Sequence, residues 1–314
     1  MFQFAIPRGS GSSTVRAVVF LTMLTILVPG AARAGKLKIV TTLPSLASIT
    51  KTIGGDRVEV TAICKGYEDP HYIQPKPSYS RRLRKADLLI FSGLELEVGW
   101  LPPLLETARN SKLTPGAPGL LEASTAVEHK LEVPTGDVSR SEGDIHPFGN
   151  PHFMVDPRNG MAVAALIADR LAELDPEGAD AYRSRAETYR GELTKRIAEW
   201  ESLAAPLRGT PVVAYHKQWE YLTEWLGMET VGYIERKPGI PPTPRHVTDL
   251  VRTMNTREVS LILVATFMDE DAAKDIGGKT GARAVVLPAE VGGVDGTDTY
   301  VAWIDHVVRE LVAE

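Results

Sequence analysis

Short apolar runs alternate with stretches of helical periodicity in the first third of the chain. The apolar runs are rich in Val, Ile and Thr, which favour strands, and the stretches between them fit helices. The predicted strands are Lys36–Thr42, Val58–Cys64 and Leu88–Gly93, and the predicted helices are Leu46–Ile53 and Ser78–Ala86. This order predicts βα units and a mainly parallel sheet.

The last third of the chain repeats the same plan. Predicted strands lie at Thr210–Tyr215, Thr230–Ile234, Leu261–Thr266 and Ala284–Leu287. Predicted helices lie at Trp219–Leu226, Pro244–Asn255, Asp269–Thr280 and Thr299–Val312. A second α/β lobe is therefore expected, because the 280 residues that follow a predicted signal peptide of 34 (314 − 34 = 280) exceed what one core usually fills.

A long helical region separates the two plans. Gly160–Leu174 has apolar residues at helical spacing, and Asp175-Pro176 ends it. Gly178–Leu203 then continues without proline, with charges on most of its faces, which is typical of a solvent-exposed connector. The predicted fold class is α/β, with two lobes, each a mainly parallel sheet flanked by helices, joined by one long rigid helix. The predicted boundaries are 1–34 for a signal peptide, 35–177 for the N-terminal lobe, 178–206 for the linker helix and 207–314 for the C-terminal lobe.

The N-terminal segment has the composition of a secretory signal peptide. Arg8 and Arg16 precede an apolar run, Ala17–Val28, which is too short to span a bilayer, and Ala32-Arg33-Ala34 forms a small-residue cleavage site. The alternative is a buried N-terminal helix. Secretion predicts a soluble protein of the periplasm.

The net charge and the single cysteine exclude several kinds of partner and of metal site. The formal net charge is −5, and residues 1–34 contain three arginines and no acid, so the rest of the chain is more acidic still. This argues against nucleic acid as a partner. Cys64 is the one cysteine, so an internal disulfide and a cysteine zinc site are excluded. Because Cys64 lies far from the cleavage site, we expect no lipid anchor, and we expect its side chain in the core.

Three of the seven histidines stand in contexts that suit a metal site. His71 follows a strand within Glu68-Asp69-Pro70-His71, His152 lies in a proline-bracketed loop, and His216 directly follows another strand. Ligands of open α/β sheets bind beyond the carboxyl ends of strands, and imidazole is a preferred zinc ligand. Taken singly, each histidine is more often a surface or structural residue.

Four motifs occur in order: DPH (69–71), NPH with a following DP (150–157), AYHKQWEYL (214–222) and KPGIPPTPRHV (237–247). The ordered set resembles the zinc and manganese solute-binding proteins of ABC importers, the cluster A-I group. The resemblance implies two α/β lobes joined by a rigid helix, a metal in the cleft, and His71, His152 and His216 as ligands. It also favours zinc, since the manganese-type members tend to have Glu where this chain has His216.

The fourth ligand is where the sequence departs from the family pattern. The family has an acid after its last strand, and Glu290 is the first choice here, with Asp295, Asp298 or a water as alternatives. The polar segment Thr135–Asn150, which contains His146, reads as a long mobile loop with a weak ion-gathering role or as plain surface.

The predicted function is high-affinity zinc binding and delivery of Zn²⁺ to a membrane-embedded ABC permease. We expect a monomer that is not an enzyme, and loading by a periplasmic zinc metallochaperone is left open. The alternatives are a manganese-type solute-binding protein, a secreted three-histidine zinc hydrolase and a surface adhesin; no HExxH pattern supports the hydrolase.

Overall fold

The computed structural model describes residues 35–133, 146–235 and 240–313, and the N-terminal part of this range forms a four-stranded parallel sheet. Its strand order is β2-β1-β3-β4. The strands are β1 (Leu37–Thr41), β2 (Val58–Ala62), β3 (Leu88–Phe91) and β4 (Leu120–Glu122). The connecting helices are α1 (Pro44–Gly54), α2 (Pro77–Lys85) and α3 (Leu101–Ala108). Because all the strands are parallel, their carboxyl ends meet at one edge of the sheet.

A second parallel sheet of the same size lies in the C-terminal part, with strand order β6-β5-β7-β8. Its strands are β5 (Pro211–Ala214), β6 (Glu229–Tyr233), β7 (Leu261–Ala265) and β8 (Arg283–Leu287). Its helices are α6 (Glu220–Leu226), α7 (Pro244–Thr256), α8 (Glu270–Thr280) and α9 (Tyr300–Val312). Two sheets of four parallel strands flanked by helices confirm the predicted fold class.

The sequence analysis missed two short elements, β4 and α3. The strand β4 has only three residues, which is too few for a periodicity to be recognised. The helix α3 contains Pro102 and Pro103, which fit its first turn because the first N–H groups of a helix have no partner within it.

Two long antiparallel helices separate the sheets in the chain, α4 (Pro157–Leu174) and α5 (Ala179–Leu203). With 25 residues, α5 is about 38 Å long. It is less exposed than its charge pattern predicts, because a face of large residues packs against α4, α1 and α9. Those buried residues are Tyr182, Tyr189, Leu193, Ile197 and Trp200.

The corner between α4 and α5 is attached to the first sheet through a buried carboxylate. Asp175 accepts hydrogen bonds from Arg57 Nε and Nη2 at 2.7 and 2.9 Å, and from the Tyr182 hydroxyl at 2.6 Å. Arg57 directly precedes β2, so this contact fixes the start of the long helix on the N-terminal sheet.

Several predicted features fall outside the described residues. These are the signal peptide (1–34), most of the Thr135–Asn150 segment and part of the 237–247 motif. The lobe boundaries stay a prediction, since the described part of the chain belongs to one compact unit. Within the described ranges, none of the helices has the length and apolar character needed to cross a membrane.

Candidate metal centre

A tight turn presents His71 beyond the carboxyl end of β2. The Asp69 carboxylate accepts from the backbone N–H of His71 at 2.9 Å, which closes an Asx turn across Pro70. The same oxygen lies 2.8 Å from His71 Nδ1. The indole N–H of Trp100 donates to the carbonyl of Pro70 at 2.8 Å and fixes the turn on the core. The DPH motif is therefore a local device that orients one imidazole.

The NPH motif builds the same turn around His152. Asn150 Oδ1 accepts from the backbone N–H of His152 at 2.9 Å, and Pro151 again lacks an N–H to compete. The Asn150 amide also donates to the carbonyl of Lys217 at 2.7 Å. Because Lys217 follows His216, this bond connects the His152 turn with the C-terminal sheet.

His216 lies two residues beyond the end of β5, and its side chain is 6% exposed. The preceding residue, Tyr215, continues the strand pairing by donating to Leu263 at 2.7 Å. Glu235, just past the neighbouring strand β6, places its carboxylate 3.5 Å from His216 Nδ1. The carboxyl ends of two parallel strands thus provide both the histidine and a carboxylate beside it.

The three predicted histidines meet although they come from distant parts of the chain. The ring centroid of His71 lies 5.1 Å from that of His152 and 5.7 Å from that of His216. The ring centroids of His152 and His216 lie 5.6 Å apart. One nitrogen from each ring falls within 4.8 Å of the others, which is a spacing that a single metal ion can bridge. The carboxyl edges of the two sheets therefore face each other at this point.

Burial and hydrogen bonding set the charges of these groups. Burial, followed by the neighbouring imidazoles, lowers the pKa of His152 well below its ordinary value, so this ring stays neutral. Burial by itself would raise the pKa of Asp69, but the hydrogen bond and charge of His71 outweigh it and lower that pKa. Neutral imidazole is the form that binds a metal.

Two imidazole nitrogens of the cluster are buried and make no hydrogen bond. Among the residues that the structure describes, His152 Nε2 and His216 Nδ1 are buried without a hydrogen-bond partner, although the Glu235 carboxylate lies 3.5 Å from His216 Nδ1. A buried polar nitrogen without a partner is costly, and coordination to a cation would satisfy it.

Glu290, the fourth predicted ligand, is not part of the histidine group found in the described chain. Its carboxylate is buried and accepts from Ser45 N and Ser45 Oγ, both at 2.8 Å, at the start of α1. Burial raises the pKa of Glu290 to about 7. The side chain lines a small cavity next to His152, and its role as a ligand stays a prediction. The runners-up, Asp295 and Asp298, are exposed.

Two residues near the cluster received little or no weight in the sequence analysis. The sequence predicts a mobile loop around His146, most of which lies outside the described residues, and the ring of His146 contacts that of His71. Glu235 was overlooked, although its position just beyond β6, the neighbour of β5, could have identified it. The prediction for Cys64 holds, since it is a buried free cysteine, and burial raises the pKa of its thiol.

The comparison with protein families decides what kind of protein this is. The model of the ZnuA family, described as zinc-uptake complex component A, periplasmic, matches residues 39–314. The chain belongs to the ZnuA family. This confirms the resemblance found in the four motifs, and it makes the chain a metal-binding substrate-binding protein of the ABC transporter type. Members of this class work with a membrane permease and an ATPase, and they bind their cargo without converting it.

Relatives of this ZnuA-family chain are named for manganese as well as for metals in general. The manganese-binding lipoprotein MntA of Halalkalibacterium halodurans is 27% identical over 288 residues, which cover 88% of each chain. The metal-binding lipoprotein FimA of Streptococcus parasanguinis is 28% identical and covers 77% of this chain and 76% of its own. The manganese-binding lipoprotein PsaA of Streptococcus pneumoniae is 27% identical with the same coverage.

Solved structures agree with the fold of the ZnuA-family chain. A zinc-bound ZnuA deletion mutant superposes with a TM-score of 0.73 at 22% identity, covering 88% of this chain and 97% of that one. A manganese-bound periplasmic protein of Candidatus Liberibacter asiaticus superposes with a TM-score of 0.72 at 20% identity, covering 88% and 98%. At these identities the likeness concerns the fold.

The expectation of a soluble periplasmic protein without a lipid anchor is contradicted by the relatives. MntA, FimA and PsaA are each named lipoproteins. The expectation rested on the distance of Cys64 from the predicted cleavage site. That reasoning used the sequence of this chain alone, and the names of the relatives speak against it.

Proposed function

We propose that this chain binds Zn²⁺ through His71, His152 and His216 and delivers it to the permease of an ABC importer. The supporting observation is the convergence of the three imidazoles, one nitrogen of each within 4.8 Å of the others. Three nitrogens within this limit can converge on one zinc ion, whose Zn–N bonds are about 2.0–2.1 Å long. The buried Nε2 of His152, which has no hydrogen-bond partner, would be satisfied by coordination to the ion.

Zinc is proposed as the cargo because the converging donors are imidazoles. Nitrogen ligands favour zinc, whereas manganese favours carboxylate, carbonyl and water oxygens. The second candidate is manganese, which is favoured by the names of the relatives MntA and PsaA. A carboxylate in the coordination shell, such as Glu290 or Glu235, would move the preference towards manganese.

Competitive titration of the metal-free protein with Zn²⁺ and Mn²⁺ tests this proposal. We expect one zinc site with a Kd well below 1 µM, a weaker manganese site, and a large loss of zinc affinity in His71→Ala, His152→Ala and His216→Ala. The matched control is His129→Ala, because His129 has a side chain that is 77% exposed and lies outside the cluster. Zinc binding no tighter than about micromolar would contradict the proposal, and tighter manganese binding would favour the second candidate.

The proposal extends to the partners of the protein. A membrane permease receives the ion, and loading by a periplasmic zinc metallochaperone stays an open alternative. We also propose that the chain works as a monomer, since the three histidines come from one chain. Light scattering of the zinc-loaded protein checks the mass, and a zinc-dependent dimer would argue against this part of the proposal.

A further inference from the structure

His146 lies against the three-histidine cluster at a distance typical of two ligands of one ion. Its Nε2 atom is 3.2 Å from Nε2 of His71. The ring centroid of His146 lies 5.3 Å from that of His71 and 6.3 Å from that of His152. These contacts place His146 beside His71 and His152, although, like Glu290, it lies outside the group of three whose nitrogens fall within 4.8 Å of one another.

The hydrogen bonds of His71 identify which of its nitrogens faces His146. Asp69 occupies Nδ1 at 2.8 Å, so in the neutral ring Nδ1 carries the proton and Nε2 presents its lone pair. That lone pair points at Nε2 of His146. An N–H donated by His146 would also satisfy this distance, so geometry leaves two arrangements: an imidazole pair, or two ligands of one ion.

The distance also fits two ligands around a tetrahedral ion. With Zn–N bonds of about 2.0–2.1 Å, two nitrogens of a tetrahedral site lie about 3.3–3.4 Å apart. The observed 3.2 Å between the two Nε2 atoms is close to this value. Small shifts of the two rings would therefore suffice to seat an ion between them.

Glu290 is less well prepared for the same role. Its two oxygens accept from Ser45 N and Ser45 Oγ at 2.8 Å, and from Val291 N at 3.3 Å. Moving to an ion near the histidines would break these bonds and leave Ser45 N–H at the start of α1 without its acceptor.

We propose that His146, and not Glu290, supplies the fourth protein ligand of the metal site. This inference rests on the proposed function and adds one residue to it. A site of four imidazoles selects borderline transition metals such as Zn²⁺ over Mn²⁺, because it has no carboxylate oxygen for manganese.

The test compares His146→Ala with Glu290→Gln and with the exposed control His129→Ala, in competition titrations with a zinc-binding dye. We expect His146→Ala to weaken zinc binding by roughly tenfold or more, since loss of a ligand should cost at least as much as loss of an outer partner, which costs about 10–100-fold. We expect Glu290→Gln and His129→Ala to stay within about twofold of the wild-type affinity. A smaller effect of His146→Ala on manganese than on zinc is expected as well.

A second variant keeps the result interpretable if the alanine disturbs the loop. His146→Asp restores a ligand atom, so it should recover part of the affinity and move the preference towards manganese. If His146→Ala binds zinc as tightly as His129→Ala while Glu290→Gln loses affinity, the inference is wrong and Glu290 is the ligand. If the wild-type chain binds no zinc, the proposed function fails; if the wild-type chain binds zinc and His146→Ala does not weaken it, the inference alone fails.

Discussion

The buried carboxylate of Glu290 predicts an unusual pH dependence for the stability of the metal-free protein. The perturbation is Glu290→Gln, which keeps the size of the side chain and an oxygen acceptor for Ser45 but cannot ionise. Glu290 is 5% exposed, and burial raises its pKa to about 7 despite the hydrogen bonds from Ser45 and Val291. The folded state therefore prefers the neutral acid.

The sign and size of the effect follow from this pKa. A group whose pKa is raised on folding contributes stability below its unfolded pKa, and this contribution is lost as the pH rises through the folded value. The shift from 4.5 to about 7 corresponds to about 3 kcal/mol in total, at about 1.4 kcal/mol per pKa unit. Between pH 5 and pH 8 the wild-type chain should lose about 2.5 kcal/mol of this contribution, whereas Glu290→Gln should lose none.

Guanidinium unfolding at pH 5 and pH 8 in the presence of a chelator measures the effect. Other titrating groups cancel when the wild-type chain is compared with Glu290→Gln at each pH. Asp298→Asn, an exposed acid in the same C-terminal loop, serves as the control and should show no such difference. A stability difference between the wild-type chain and Glu290→Gln that is the same at both pH values would refute the reasoning.

Three further variants test the supports of the site and of the fold. Asp69→Ala removes the partner of His71 Nδ1 and should weaken zinc binding about 10–100-fold without unfolding the protein, as titration and circular dichroism would check. Asp175→Ala leaves the buried hydroxyl of Tyr182 without its acceptor and should lower the free energy of unfolding by about 1–3 kcal/mol; an unchanged urea midpoint would contradict this. Gly66→Ala would place a Cβ 2.4 Å from the carbonyl oxygen of Val291, so it should cost about 1–3 kcal/mol in the same assay, and wild-type stability would disprove the close approach.

Local sequence patterns were sufficient for most of the elements. The apolar runs of β1, β2, β5 and β7 and the helical spacing of α4 identify their elements because both signals depend on neighbours in the chain. The DPH and NPH turns are local for the same reason, since Asp69 and Asn150 each bind the N–H two residues later.

The sequence by itself determined the two parallel sheets, the long connecting helix and three histidines at the ends of strands and turns. Only the tertiary structure decided what surrounds those histidines. His146 approaches His71 across 75 residues, Glu290 contacts Ser45 across 245, and Glu235 reaches His216 from a neighbouring strand. These contacts depend on how the two sheets face each other. The periodicity of residues along the chain does not contain this information, because it reflects only neighbours in sequence.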